Sequence, residues 1–256
     1  MNPPASTSFS FEWIFLALSA AAVYGYVRLA REEHPPPGRI VLFGLGIALV
    51  AVPLNSPLET IAVHYLLVIH LLQNVMIADW APPLLVLGLT PSMRARVARA
   101  GGRPLELVTR PLFALPFWLA VWYGVHLPPF YDWALRTGWP LNLEHGLLIL
   151  AGLVFWWPVF SDEPQRLGTP IRLAFLGIAF IGSAFLSLAY IFSARAFYAF
   201  YEHAPRLWGL SATKDQNLGG ILMNGEQLIV FFAALSYFLL RLLSEEDEAA
   251  RALESR

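Results

Sequence analysis

Cysteine is absent from the 256 residues of this chain, and Lys214 is its only lysine. A chain without thiols cannot form disulfides, thiolate metal sites or a cysteine nucleophile. Charged residues make up only 14% of the sequence, whereas a soluble domain carries about 25%. The net charge of −1 leaves no basic surface for nucleic acid, so we expect no nucleic-acid partner.

The sequence motifs of soluble enzymes are also missing. The chain has no Gly-x-Ser-x-Gly, no Walker loop, no His-Glu-x-x-His and no dinucleotide-binding glycine fingerprint. These absences argue against a soluble-type enzyme carried on a membrane anchor. They leave an intramembrane enzyme possible.

Hydrophobic residues, by contrast, make up 57% of the chain, which has nine tryptophans, eighteen phenylalanines and a mean hydropathy of +0.56. One globular core cannot hide this much apolar surface, which needs lipid as its solvent. We predict an all-α, polytopic membrane helical bundle of about seven transmembrane helices, in a single transmembrane domain over residues 1–256. The predicted spans lie near residues 11–30, 39–53, 62–89, 107–125, 143–160, 171–194 and 218–243.

The third apolar run, at 62–89, is too long for one straight span, and Pro82 and Pro83 interrupt it. We interpret it as one tilted helix that is kinked at the prolines. The competing interpretation is a helix that ends near Asp79 and is followed by a re-entrant segment. The sequence is therefore compatible with either path for residues 79–90.

Basic residues are distributed unequally between the two sides of the predicted spans. If the N-terminus is outside, thirteen arginines lie on the inner side, and only Arg136, Arg195, Arg206 and Lys214 lie on the outer side. Because lysine and arginine concentrate in cytoplasmic loops, we predict an outer N-terminus and a cytoplasmic C-terminus. Residues 244–256 then form a charged cytoplasmic tail.

Five of the six histidines fall on the outer side in this orientation. Imidazole and thioether groups suit copper, and ionisable residues inside a membrane face a bundle interior or a site. We therefore predict an outer-facing metal site, with copper as the hypothesised ion. Its candidate ligands are His70, His64, His126, His145 and Met223.

Each candidate ligand also has a structural interpretation. His64 and His70 lie about 120° apart around an ideal helix, so both cannot point straight at one ion. His70 and Asn74 lie on the same face of the predicted helix, where both polar side chains could form hydrogen bonds to a neighbouring helix. His126 and His145 lie near the membrane interface, where a histidine can be solvated or cap a helix, and Met223 can serve core packing.

Five short motifs follow one another between about residues 60 and 230. They are His70-Leu-Leu-Gln-Asn74 with Ala81-Pro-Pro-Leu-Leu-Val-Leu-Gly88, Trp122-x-x-x-His126-Leu-Pro-Pro-Phe-Tyr131-Asp132, Glu144-His145, Phe155-Trp156-Trp157-Pro158, and Asp215-Gln216-x-x-Gly219-Gly220-x-x-Met223. In this order they resemble the bacterial CtaG-type assembly factors of cytochrome c oxidase that are associated with the caa3-type oxidase. The joint order is far more specific than any one motif.

The resemblance implies a seven-helix protein of the bacterial cytoplasmic membrane that is needed to produce active haem–copper oxidase and handles copper on the outer side. Such an assembly factor would have no catalytic turnover of its own, and its partners would be the lipid bilayer and subunits of cytochrome c oxidase. Besides the candidate ligands, the resemblance marks four motif residues as part of the site, namely Asn74, Asp132, Asp215 and Gln216.

Asn74 departs from the family pattern, which has a second histidine four residues after the first. Asparagine is a poor ligand for copper. Either His64 substitutes for the missing histidine, the site uses fewer ligands, or this member binds no metal.

Two other function classes are compatible with the sequence. A membrane electron carrier could hold a haem between His70 and either His126 or His145. A transporter for copper or a small solute could use the proline-broken third span, although no paired repeat is visible.

Overall fold

The computed structural model of the protein describes residues 3–254, which form helices connected by short loops, without a strand. We number the α-helices of this range in chain order. They are α1 (Trp13–Glu33), α2 (Pro37–Ala51), α3 (Pro57–His64), α4 (Leu67–Val75), α5 (Ala81–Gly88), α6 (Pro91–Val108), α7 (Pro111–Val125), α8 (Pro128–Thr137), α9 (Trp139–Phe160), α10 (Thr169–Phe192), α11 (Ala199–His203) and α12 (Ala212–Glu254).

The predicted all-helical membrane architecture is confirmed in its coarse form. Within residues 3–254, five helices are long and apolar enough to cross a membrane, namely α1, the continuous segment Leu67–Gly88, α9, α10 and α12. A sixth span results if α6 and α7, which meet at an angle of 73°, are counted as one broken span. Helix α2 is apolar but has only 15 residues.

The third apolar run is divided differently from the prediction. The chain leaves the helical conformation at Tyr65 and Leu66, so the span begins at Leu67 instead of residue 62. A π-helical turn, Met76–Trp80, joins α4 to α5 without a break. The prolines lie in the first turn of α5. They have no N–H to donate to the preceding carbonyl oxygens, and the π turn accommodates the backbone there. The segment after Asp79 thus continues the same helix.

Other helices begin or end beyond their predicted bounds. Helix α9 begins at Trp139 instead of residue 143, because Pro140 suits the first turn of a helix. Helix α12 continues through the charged tail to Glu254, since its exposed acidic and basic residues are good helix formers.

The core of the bundle is aromatic. The rings of Trp118 and Phe155 stack with centroids 4.6 Å apart, and the ring of Phe231 in α12 lies 5.5 Å from that of Trp156 in α9. Small residues allow the helices around this core to approach closely: a Cβ on Gly220 would lie 2.8 Å from the carbonyl oxygen of Ser187 in α10. The neighbouring Gly219 packs against Leu71 of α4 in the same way, so the two glycines bring α12 close to both helices.

Polar contacts fix which helix ends lie together. The carboxylate of Asp215, at the start of α12, accepts hydrogen bonds from the amides of Leu67 and Val68, at the start of α4. At the opposite end, the Arg39 guanidinium donates to the carbonyl oxygens of Leu87 and Leu89, at the end of α5. We name the two ends after their residues: the histidine end contains His70, His126 and His145, and the arginine end contains Arg39, Arg94, Arg172 and Arg241.

Candidate functional site

The histidine end contains a buried polar cluster made of side chains from three spans. His70 comes from α4, His126 follows α7, and Glu144 and His145 are neighbours in α9. All four are at most 3% exposed. Buried charged and polar groups are costly unless they are paired or bind an ion, so each unpaired atom in this cluster needs an explanation.

Glu144 is the centre of the cluster. Its Oε1 accepts a hydrogen bond from the side-chain amide of Asn74 at 2.9 Å and lies 3.4 Å from Nε2 of His70. Its other oxygen has no partner within the described residues. The carboxylate therefore connects α9 to α4 and still has acceptor capacity for a cation.

The hydrogen bonds of His70 determine which ring nitrogen has a free lone pair. The hydroxyl of Tyr201 donates to the carbonyl oxygen of Ala62 at 2.5 Å, so it can only accept from Nδ1 of His70, which lies 3.0 Å away. In a neutral imidazole the lone pair is then on Nε2, the nitrogen that faces Glu144. A lone pair and a carboxylate repel at 3.4 Å. A cation at this position, either a proton or a metal ion, removes the repulsion.

His126 presents a lone pair in the same way. Its Nδ1 lies 2.6 Å from the carbonyl oxygen of Trp122, which can only accept, so Nδ1 carries the hydrogen. Its Nε2 is buried and has no partner in the described residues. The backbone hydrogen bond thus fixes the tautomer that presents Nε2 as a ligand.

His145 is the least constrained of the three imidazoles. Neither of its ring nitrogens has a hydrogen-bond partner among residues 3–254. Its ring centroid lies 5.9 Å from that of His70 and 5.9 Å from that of Phe15. A fully buried imidazole without a hydrogen bond is an expensive group to retain for packing alone.

A group of tyrosines surrounds the histidines. The ring of Tyr131 lies 4.9 Å from that of His70 and 5.9 Å from that of His126, and its hydroxyl has no partner within the described residues. Tyr198 donates to the carbonyl oxygen of His126 at 2.8 Å and is also hydrogen-bonded to Tyr190. The tyrosines thus pack against the rings of His70 and His126 and hold the backbone of His126 by a hydrogen bond.

The other two candidate ligands have different surroundings. His64, at the end of α3, is partly exposed and lines a surface cavity together with His203. Met223 is fully buried in the hydrophobic core. The structure therefore brings together His70, His126 and His145, and it places His64 with the surface residues.

The remaining motif residues support the backbone around the cluster. Asp132 accepts a hydrogen bond from the amide of Phe200 at the start of α11. Gln216 accepts from the amide of Phe197, and the amides of α4 donate to Asp215. The carboxylate of Asp215 thus caps α4, 148 residues away along the chain. Its position thus depends on the tertiary fold.

Sequence reasoning did not count Glu144, Tyr131 and Tyr201 among the candidate ligands or their partners. A signal was present for Glu144, because a carboxylate inside an apolar span is expensive and marks a site. The tyrosines gave no such signal, since Tyr201 comes from a short helix of the loop before α12 and contacts His70 only in the folded chain.

The cluster does not form a complete metal site by itself. Within residues 3–254, no three side chains of the types His, Cys, Asp and Glu are grouped so that they could hold a metal ion. What the cluster offers is a set of free imidazole lone pairs next to a carboxylate. This chemistry fits an ion that needs few ligands or is held only in transit.

Comparison with known proteins identifies one matching family. A family model described as "Cytochrome c oxidase caa3 assembly factor" (Caa3_CtaG) matches residues 21–245. No curated protein and no solved structure matches the chain. The matched range includes every residue of the buried cluster and both ends of the bundle.

Proposed function

Because this chain belongs to the cytochrome c oxidase caa3 assembly factor family, we propose that it handles copper as cargo at the histidine end while a haem–copper oxidase is assembled. The observation that supports this proposal is the set of free lone pairs on His70, His126 and His145 beside Glu144. Imidazole is a suitable ligand for copper, and a nearby carboxylate compensates the charge of a cation.

The arrangement also suits release of the ion. Cu(I) accepts a small number of ligands, and the cluster offers imidazoles that are held by hydrogen bonds to the backbone and to tyrosine instead of a closed cage. A site with few ligands binds more weakly than a closed structural site, so an acceptor protein with more ligands can take the ion. The chain would then serve the oxidase subunits as a donor without catalysing a reaction.

Substitution of His145 tests the copper site directly. Both its nitrogens lack partners, so His145→Ala breaks no hydrogen bond of the described residues. After anaerobic loading with Cu(I) in detergent, we expect about one copper per unmodified chain and almost none in His145→Ala. The metal content of the purified protein is measured by mass spectrometry, and a visible spectrum of the same sample tests for haem.

The matched control is His203→Ala, because His203 is exposed and its ring is hydrogen-bonded to the backbone carbonyl oxygen of Ala199 instead of to a residue of the cluster. It should retain the copper of the unmodified chain. Equal copper in His145→Ala and the unmodified chain would overturn the assignment of the site. An unmodified chain that retains no copper would overturn copper handling while leaving family membership intact.

We further propose seven spans with an outer histidine end. Helices α2 and α7, each of 15 residues, would complete the count with the five longer spans. The unequal distribution of arginine supports a cytoplasmic C-terminus.

The absence of cysteine allows a direct test of this topology. Ser211, before α12, and Ser244, near its C-terminal end, are both exposed. We expect a membrane-impermeant maleimide to label Ser211→Cys in intact cells and to label Ser244→Cys only after lysis. The unmodified chain is the natural control, because it has no thiol. The reverse labelling pattern would invert the orientation.

A further inference from the structure

A cavity of about 720 Å³ is present at the arginine end, away from the histidine cluster. It lies between α5 and α12, with α9 as its floor. Its walls are apolar and are contributed by Leu84, Leu87, Trp156, Ile229, Val230 and Phe238. Ile229 is 71% exposed, so the cavity opens toward the lipid-facing side of α12 and not only toward water.

Four guanidinium groups line this cavity, from Arg39, Arg94, Arg172 and Arg241. Only one carboxylate near them, Asp162, belongs to the lining. The other lining carboxyl, Asp79, lies eight residues before Leu87 along the same span, about 12 Å deeper at 1.5 Å per residue. Arg172 and Arg241 are paired with Asp162 and Glu245, whereas Arg39 donates to carbonyl oxygens that do not neutralise it. The rim of the cavity therefore keeps an excess of positive charge from Arg39 and Arg94, while its walls are apolar.

The arginines are not fully occupied by protein partners. Arg172 is 3% exposed and bonds to Asp162 and to the carbonyl oxygen of Ser161, but its Nε has no partner in the described residues. The guanidinium of Arg94 is half-buried and has no hydrogen-bond or ion-pair partner within residues 3–254, whereas its backbone amide donates to the carbonyl oxygen of Thr90. A buried guanidinium N–H without an acceptor is costly, and an anion at the rim would satisfy it.

We propose that this cavity binds one anionic phospholipid from the surrounding leaflet. The headgroup phosphate would lie between Arg94 and Arg172, and an acyl chain would occupy the apolar space between Leu84 and Ile229. Basic pockets between transmembrane helices are suited to such headgroups because arginine binds phosphate through two parallel hydrogen bonds. A soluble anion alone would leave the apolar walls uncovered.

Native mass spectrometry of the full chain in mild detergent tests the proposal. Delipidated protein is titrated with phosphatidylglycerol, with phosphatidylcholine, and with inorganic phosphate as a competitor. We expect one phosphatidylglycerol to bind tightly, and Arg94→Gln to weaken its binding by about fivefold. Arg94 has no protein partner to lose, so this variant should fold. The exposed Arg99 at the same end gives the control Arg99→Gln, which should bind as the unmodified chain does.

Three outcomes would overturn the proposal. Equal binding of phosphatidylcholine would show that the arginines do not select the ligand. Displacement of the lipid by inorganic phosphate would identify a soluble anion as the ligand. Equal weakening by Arg94→Gln and Arg99→Gln would place the lipid on the general surface instead of in the cavity. None of these outcomes bears on copper at the histidine end.

Discussion

Gly152→Ala is expected to abolish the folded bundle or to lower its melting temperature by about 10 °C or more. A Cβ at this position of α9 would lie 2.2 Å from the carbonyl oxygen of Ala78 and 2.6 Å from Cγ of Pro82. Real carbon atoms do not approach an oxygen so closely, so either the π turn or α9 must move. Both elements are packed in the centre of the bundle, where such movement is costly.

The cause of this close approach lies in the two consecutive prolines. A helix would satisfy the carbonyl oxygen of Ala78 with the amide four residues on, at position 82, and a π turn would use position 83. Pro82 and Pro83 have no N–H, so neither bond can form. The free oxygen is directed toward α9, and only a residue without a Cβ leaves room for it.

Gly146→Ala is the matched control in the same helix, because a Cβ there has no heavy atom within 4 Å. Alanine is a better helix former than glycine by about 1 kcal/mol, so this variant should be neutral or slightly stabilised. Size-exclusion profiles and thermal melting in detergent measure both variants. A Gly152→Ala protein that elutes and melts like the unmodified chain would contradict the packing argument.

The membrane spans were largely predictable from the sequence because hydrophobicity is a local property. Apolar runs identified each of the five long spans with errors of a few residues at most ends. The break at Tyr65 was not predictable, since Leu66 and its neighbours are as apolar as the span that follows. What ends α3 is the capping of α4 by Asp215, a contact between distant parts of the chain.

The candidate site was predictable only in part, for a related reason. His70 and His145 could be identified from the sequence, because histidine is rare in spans and has few structural uses there. Helix geometry already separated His64 from His70, but the break between α3 and α4 required the fold. The role of Glu144 depends on its position opposite Asn74 and His70, which no spacing within one helix reveals.

We expect Asn74→His to raise the affinity for Cu(I) by about tenfold to a hundredfold, which corresponds to about 1.4 to 2.8 kcal/mol. Asn74 lies one helical turn after His70 and donates to the same oxygen of Glu144 at 2.9 Å. Its own Oδ1 is buried without a partner in the described residues. An imidazole here can keep the hydrogen bond to Glu144 with one nitrogen and present the other to the ion, which adds a ligand to the cluster.

Gln73→His is the control, because the neighbouring Gln73 donates to Glu59 and to the carbonyl oxygen of Pro53 instead of to Glu144. Competition with a Cu(I) chelator measures the affinity of both variants, after size exclusion has shown that each is folded. A gain at position 74 alone would show that Asn74 limits the number of copper ligands in this chain. If the chain donates copper as proposed, a site with more ligands should deliver it to the oxidase more slowly in the same variant. An equal gain at both positions, or no gain at either, would show that Glu144 and the imidazoles around it do not form the copper site.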